Sequence, residues 1–302
     1  MGRARAAHRS HRRRPELQVK ILRTIDEMRH AVREARAAGS TIGFVPTMGA
    51  FHAGHLSLMQ AARVQTDFTV VSVFVNPAQF NDPADLLNYP REEARDVALA
   101  TGEQVDIFFA PAAAEVYPND YATYVTVPRL SEPLDGIFRG EGHFRGMATV
   151  VTKLFNIVAP DLAFFGQKDA QQAMIVRQFV RDLNIPVRVV ICPTVREADG
   201  LAMSSRNARL DPRDRVRATA LRHALGVAEA AIARGVRDGA RVAELARAAM
   251  HERGVDAEYF EVVSADTLRP VTPLAGELLI AVAAHLGAVR LIDNVIVSVA
   301  SP

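Results

Sequence analysis

The 302-residue chain has one cysteine, Cys192, and only three lysines, Lys20, Lys153 and Lys168. A single thiol can neither close an internal disulfide nor build a thiolate metal cage, so the composition points to a reducing, cytoplasmic setting. No apolar run approaches the roughly 18–20 residues that span a bilayer. Phe68–Val75, among the longest, is already interrupted by Thr69 and Ser72. No membrane partner is expected. The shortage of lysine is not a shortage of positive charge, because 36 Lys+Arg stand against 34 Asp+Glu. A lysine kept in so arginine-rich a chain suits a place that needs a compact, mobile ammonium.

Acidic residues are missing from positions 1–14, which hold six arginines. The rest of the chain then carries 30 basic against 34 acidic side chains, so the pI near 8.9 belongs to a tail and not to a nucleic-acid-binding body. Pro15-Glu16-Leu17-Gln18 follows the arginines where a secretory signal needs an apolar stretch. Residues 1–18 are therefore read as a disordered tail with no part in the chemistry. The remainder, within a chain that is 49% hydrophobic and 23% charged, is long enough for two globular domains.

From about residue 22 to 196, short β-branched runs alternate with longer segments of helical period, as in βαβ units. Strands are expected over 41–46, 68–76, 105–110, 162–165 and 187–195, mostly unbroken apolar runs of the kind buried in a parallel sheet. Helices are expected over 21–38, 55–65, 92–101, 146–158 and 169–183. The fold class is α/β: a doubly wound, Rossmann-like parallel sheet that binds ligands at the carboxyl ends of its strands. Beyond Val195, helices over 211–235 and 239–254 precede antiparallel strands over 259–263, 278–284 and 289–297. The expected division is a tail over 1–18, a nucleotide-binding catalytic domain over 19–194 and a smaller C-terminal α+β domain over 195–302 acting as a lid.

Pro46-Thr47-Met48-Gly49-Ala50-Phe51-His52-Ala53-Gly54-His55 joins the first of these strands to the next helix. Gly49 and Gly54 permit close backbone approach, and a helix opening near His55 offers free N–H groups and about half a positive charge, so a phosphate site is expected there. Read alone, His52 and His55 also fit capping or packing roles, or a metal pair at i, i+3 that lacks further ligands. Phe164-Phe165-Gly166-Gln167-Lys168-Asp169 puts a lysine between a strand and a helix. Val195–Asn207 gathers Met203, Ser204, Ser205 and Arg206 in a polar loop that in isolation would be a solvated turn. A helix terminus, a point-charge ammonium, two hydroxyls and a forked guanidinium together form a triphosphate clamp. His52, His55, Lys168, Ser204, Ser205 and Arg206 are the catalytic candidates.

Further motifs are Val45–Ala50, Phe74-Val75-Asn76-Pro77-Ala78-Gln79-Phe80, Tyr89-Pro90-Arg91 and His143-Phe144-Arg145-Gly146. In these motifs and in order, over about residues 20 to 298, the chain resembles the pantoate–β-alanine ligase family of His-x-Gly-His nucleotidyltransferases. The resemblance implies that pantoate attacks the α-phosphate of ATP to give pantoyl adenylate and pyrophosphate. β-Alanine then displaces AMP, giving pantothenate. It also implies Mg²⁺ and a homodimer. By the same resemblance Met48, Gly49, Ala50, Phe51, His52, Ala53, Gly54 and His55 contact ATP, as do Gly166, Gln167, Lys168 and Asp169, together with Val195, Met203, Ser204, Ser205 and Arg206. Gln79 and Gln172 hold pantoate, and neutral amides suit that task, since a tight cationic pair would blunt a carboxylate nucleophile.

The chain departs from the family in three places. The paired acids that serve Mg²⁺ in many members read Arg95-Asp96, leaving Asp96 as the metal candidate. Gln167 stands for a usual Glu, and Ala170 for a common aromatic. Arg139-Gly140-Glu141-Gly142-His143 is one residue longer than the family's approach to His-Phe-Arg-Gly, so Arg139 is given no contact. The alternatives are another His-x-Gly-His cytidylyl- or adenylyltransferase, which generally lacks Asn-Pro-x-Gln-Phe, and a non-catalytic nucleotide sensor or nucleic-acid binder. Intact His52, His55 and Lys168 oppose a sensor, and the acidic body opposes nucleic acid.

Overall fold

A computed structural model describes residues 18–300 apart from Asp82. The tail expected over 1–18 thus lies, save for Gln18, outside the described residues. In chain order the first part contains β1 (Lys20–Leu22), α1 (Ile25–Ala37), β2 (Ile42–Thr47), α2 (Ala53–Gln65), β3 (Phe68–Val73), α3 (Pro83–Leu87), α4 (Glu93–Gly102) and β4 (Ile107–Phe109). It continues with α5 (Ala113–Val116), α6 (Pro128–Ser131), α7 (Asp135–Val158), β5 (Leu162–Gly166), α8 (Ala170–Asp182) and β6 (Arg188–Cys192). The second part is α9 (Pro212–Arg217), α10 (Ala220–Ala233), α11 (Gly239–His251), β7 (Ala257–Ser264), β8 (Gly276–Leu286) and β9 (Val289–Val299). Among the described residues no helix is long and apolar enough to cross a membrane.

The first helix starts later than its apolar spacing suggests. Thr24 Oγ1 accepts the Glu27 amide while the Glu27 carboxylate accepts the Thr24 amide, a reciprocal cap that opens α1. Lys20–Leu22, expected near the head of that helix, instead form β1 against β4. Three residues are too few to display a period of their own. The helix expected over 211–235 is likewise split into α9 and α10.

All six strands of the first part run parallel in the order β1-β4-β3-β2-β5-β6. The chain winds outward in one direction from β2 and in the other from β5, so the switch point lies between these two strands. Their pairing covers only Gly43↔Leu162 and Phe44↔Ala163. Extending that register puts Thr47 level with Gly166, and because the ladder does not reach them the strand ends part and leave a crevice. This is where an open α/β sheet places its ligands.

The second part packs onto the first. Its antiparallel sheet, β7-β8-β9, is buried on both faces along β8. Leu278, Ile280 and Val282 of β8 pack against α10 and α11, whereas the alternating Leu279, Ala281 and Ala283 belong to the core of the large sheet. The lid domain expected over 195–302 therefore shares its core with the catalytic domain. It is also tied to it by the ion pair of Arg290 with Asp135.

One close approach shapes the cleft wall. α7 runs from Asp135, well before the expected start at Gly146, with a break at Gly140 (φ 71°, ψ 169°). A β-carbon at Gly146 would lie 2.1 Å from the Ala78 carbonyl oxygen. Only glycine lets α7 press against the Asn76–Gln79 turn.

Candidate active site

The crevice between β2 and β5 opens into a cleft of about 1660 Å³, counting its open mouth. Met48 and His52 reach it from the β2–α2 turn, with Gly54 and His55 from the start of α2; Gly166 reaches it from the end of β5, Lys168 and Asp169 from the β5–α8 turn, and Gln172 from the start of α8. Gln79 follows β3, while Val195, Met203 and Arg206 come from the loop after β6. The fold thus gathers most of the predicted site from four distant stretches of sequence.

Gly49 and Ala50 both adopt positive φ (86° and 52°), which turns successive amides inward as an anion-binding nest. The protein fills that nest itself. Asp96 Oδ2 accepts the Ala50 amide and Oδ1 the Phe51 amide, both at 2.8 Å. Ala50, Phe51 and Asp96 are buried, and the amides of Ala50 and Phe51, expected to contact ATP, are engaged by that carboxylate. Asp96, the metal candidate, thus spends one hydrogen bond from each carboxylate oxygen on the turn.

α2 begins at Ala53, with His52 as its cap. His52 Nδ1 accepts the Gly54 amide at 3.1 Å, and His55 Nδ1 accepts the His52 amide at 3.3 Å. The first-turn N–H groups expected to meet a phosphate are thus partly consumed by the histidines. An Nδ1 that accepts leaves the proton on Nε2, so each ring is a neutral N–H donor. The two rings lie 4.1 Å apart, centre to centre. Burial, then the neighbouring Lys168, pushes His52 down, and burial with His52 beside it pushes His55 down to about 3.

Lys168 sits on a 3-10 turn, Gln167–Asp169, its ammonium 3.4 Å from Asp169 Oδ1 and its side chain 18% exposed. Desolvation would raise Asp169, but Lys168, Arg139 and Arg206 overcome it and hold the carboxyl below its usual range. The loop after β6 is rooted by Arg196 on Asp293 and by Arg215, which bridges Glu197 and Asp199 at 2.6 Å each. Ser204 Oγ caps the following turn by accepting the Arg206 amide at 3.2 Å. Ser204, Ser205, Gln167, Gly49 and Ala53 flank the cleft without forming its walls.

Gln79 is held from two sides. Its Oε1 accepts Asn76 Nδ2 at 2.9 Å and its Nε2 reaches Met48 Sδ at 2.9 Å. Asn76, fully buried, also donates to the Gly146 carbonyl and accepts the Tyr117 hydroxyl. His143 Nδ1 donates to the Gln79 carbonyl at 2.8 Å, and burial followed by the nearby Arg139 pushes it down to about 4.

Sequence reasoning missed Asn76, Arg139, His143, Asp293 and Asn294 as cleft residues. Arg139 had a visible signal, its place ahead of His143, and the break at Gly140 absorbs the longer segment between them. Arg139 Nε is buried without a hydrogen bond, 3.5 Å from Asp135 Oδ2. With Lys168 and Arg206, its guanidinium makes the cleft a site for anions.

The donor set does not fit a resident metal ion. Among the described residues no three His, Cys, Asp or Glu side chains gather in a way that could hold one, and each Asp96 oxygen already accepts a backbone amide. The His52–His55 metal pair also fails, because both Nδ1 atoms accept backbone amides.

The buried imidazoles set a pH dependence. Unfolded histidines titrate near 6.5, whereas His55 and His143 stay neutral in the fold down to about 3 and about 4. Below pH ~6.5 the unfolded chain therefore binds protons that the folded chain refuses. Stability is full above that pH and falls with acidification. Replacing His143 by Gln is expected to remove about one proton, roughly 1.4 kcal/mol per pH unit, from the slope of unfolding free energy between pH ~6 and ~4.5. Denaturant titrations at several pH values measure it, and an unchanged slope would mean that His143 is not held neutral.

A doubly wound sheet with a His-x-Gly-His cap and a lysine facing each other across its switch point defines a nucleotidyltransferase-type α/β protein. The model of the family "Pantoate-beta-alanine ligase" matches residues 20–296. A pantothenate synthetase of Moorella thermoacetica is 50% identical over 284 residues, covering 93% of this chain and 99% of the relative. One from Cereibacter sphaeroides is 52% identical over 276 residues, covering 91% and 98%. The solved pantothenate synthetase of Thermus thermophilus superposes with a TM-score of 0.86 at 41% identity, covering 92% of this chain and 99% of that one. The Francisella tularensis pantoate-β-alanine ligase, solved with β-γ ATP and β-alanine, gives 0.75 at 33% identity, covering 92% and 97%. The chain belongs to the pantoate–β-alanine ligase family.

Proposed function

We propose that this protein condenses pantoate with β-alanine at the expense of ATP, through pantoyl adenylate, releasing pyrophosphate and AMP. The observation that carries the reading is the pairing, in one cleft, of an anion-binding side with a neutral amide side. His52 and His55 Nε2–H groups, Lys168 and Arg206 offer preorganised positive donors to the phosphates. Charge that develops as pantoate's carboxylate attacks the α-phosphorus is stabilised by donors already in place. Gln79 and Gln172 can orient pantoate without a tight ion pair, leaving its carboxylate nucleophilic. In the second half the amine of β-alanine attacks the acyl carbon and AMP leaves. Mg²⁺ carried on the triphosphate would supply counter-charge to the phosphates. The pair Arg95-Asp96 contributes no cage for it.

The test is product analysis with pantoate, β-alanine and ATP. Pantothenate, AMP and pyrophosphate are expected, and ADP would overturn the adenylate route. A cytoplasmic homodimer completes the reading, and sedimentation addresses its oligomeric part.

Gln79→Ala and Gln172→Ala are expected to raise the pantoate concentration needed for half-maximal adenylation by roughly 10–100-fold, the scale of a hydrogen bond to a charged group. ATP affinity should stay within about threefold, since the phosphate donors are untouched. Calorimetric titration separates the two ligands. Selective loss of ATP binding would move these glutamines into the nucleotide site.

A further inference from the structure

Two segments that face the nucleotide, the Lys168 turn and the loop after β6, meet at adjacent residues of β9. Asn294 Nδ2 donates to the carbonyl oxygens of Gln167 and Lys168, each at 2.9 Å, and its Oδ1 lies 3.5 Å from Gln167 Nε2. Asp293 is buried and accepts both terminal nitrogens of Arg196, at 2.7 and 3.0 Å, together with the Asn294 amide at 2.8 Å. Arg196 also donates to the Gly200 carbonyl at 3.0 Å, which closes the base of the hairpin formed around the Arg196↔Ala202 bridge. Met203 and Arg206 follow directly after that hairpin and line the cleft.

We propose that Asp293 and Asn294 are the positioning pair of the nucleotide site. Lysine ends in a compact charge on a flexible four-carbon stem with no directional fork. Its placement therefore depends on the backbone from which it reaches, and Asn294 fixes that backbone at two successive carbonyls. Asp293 fixes the root of the loop that carries Arg206. Because the two residues are neighbours in one strand, β9 sets the separation between the segments, and the C-terminal sheet becomes part of the catalytic geometry. The inference rests on Lys168 serving the nucleotide.

Single-turnover adenylate formation from ATP and pantoate tests it in a double-mutant cycle. Asn294→Ala is expected to slow the step roughly 10–30-fold while ATP affinity changes less than about threefold, because the donor is displaced but not removed. In a Lys168→Ala background the same change should add less than about threefold, since a residue acting through Lys168 has nothing left to position. Asn294→Asp, nearly identical in shape, should be slower than Asn294→Ala, because a carboxylate oxygen would then confront two carbonyl oxygens. If that variant does not fold, the alanine cycle decides. Multiplicative losses in the cycle, or Asp outperforming Ala, would overturn the proposal and leave the site reading standing. A Lys168→Ala protein with wild-type adenylation would remove the site reading and the proposal together.

Discussion

Replacement of Lys168 by alanine is expected to slow adenylate formation by about 10²–10³-fold, the scale for loss of one preorganised electrostatic donor. The side chain lies at the cleft, and its ion pair with Asp169 is a long one at 3.4 Å. The fold should hardly notice the loss. Lys168→Arg should also fail substantially, because a planar fork cannot occupy a point-charge position without displacing its neighbours. Rapid-quench measurement of pantoyl adenylate, alongside the unfolding midpoint, separates catalysis from stability. A single-turnover rate within tenfold of wild type would take Lys168 out of the mechanism.

The second large effect is expected at Gly54, where activity and stability should part company. A β-carbon there would sit 2.8 Å from His52 Cε1 and 2.9 Å from its Nδ1. The obstacle is a side-chain ring that can swing away, so Gly54→Ala costs little in folding. In the first turn of α2 it should even recover up to about 1 kcal/mol of helix propensity. The displaced ring, however, gives up the Gly54 amide, loses its fixed tautomer and leaves its 4.1 Å tilted contact with His55. Adenylation should fall by about 10²-fold, comparable to losing one oriented donor. An alanine variant with unimpaired adenylation would show that the glycine serves something other than the seat of His52. The expected fall would assign the glycine of His-x-Gly-His the task of admitting an imidazole to the helix terminus, beside any close approach of a phosphate.

The βαβ alternation was legible because buried parallel strands must be continuously apolar and covering helices must repeat near 3.6 residues. Val70, Phe108 and Phe164 carry the first signal, and Met28, Ala31, Val32 and Ala35 of α1 carry the second. Likewise His52, His55, Lys168 and Arg206 could be placed near one another, since every one follows a strand and a doubly wound sheet collects strand ends. These are local patterns joined by one topological rule.

What the chain pattern left open depended on partners far away in sequence. Asp96 looks like any helical acid until the fold sets it under two inward-turned amides 45 and 46 positions earlier. Asn294 is an ordinary polar residue of a C-terminal strand until β9 crosses the Lys168 turn, 126 positions distant. β8 reads as one apolar run whether it faces one core or two, and only packing assigns Leu279 and Ile280 to different cores. Hydrophobic periodicity and strand-end motifs are written in neighbouring residues, so the sequence by itself determined the fold class and the strand-end motifs that reach the cleft. A polar side chain's hydrogen-bond capacity is the same wherever it is spent, so only the tertiary structure decided which groups face substrate and which are consumed in holding the site together.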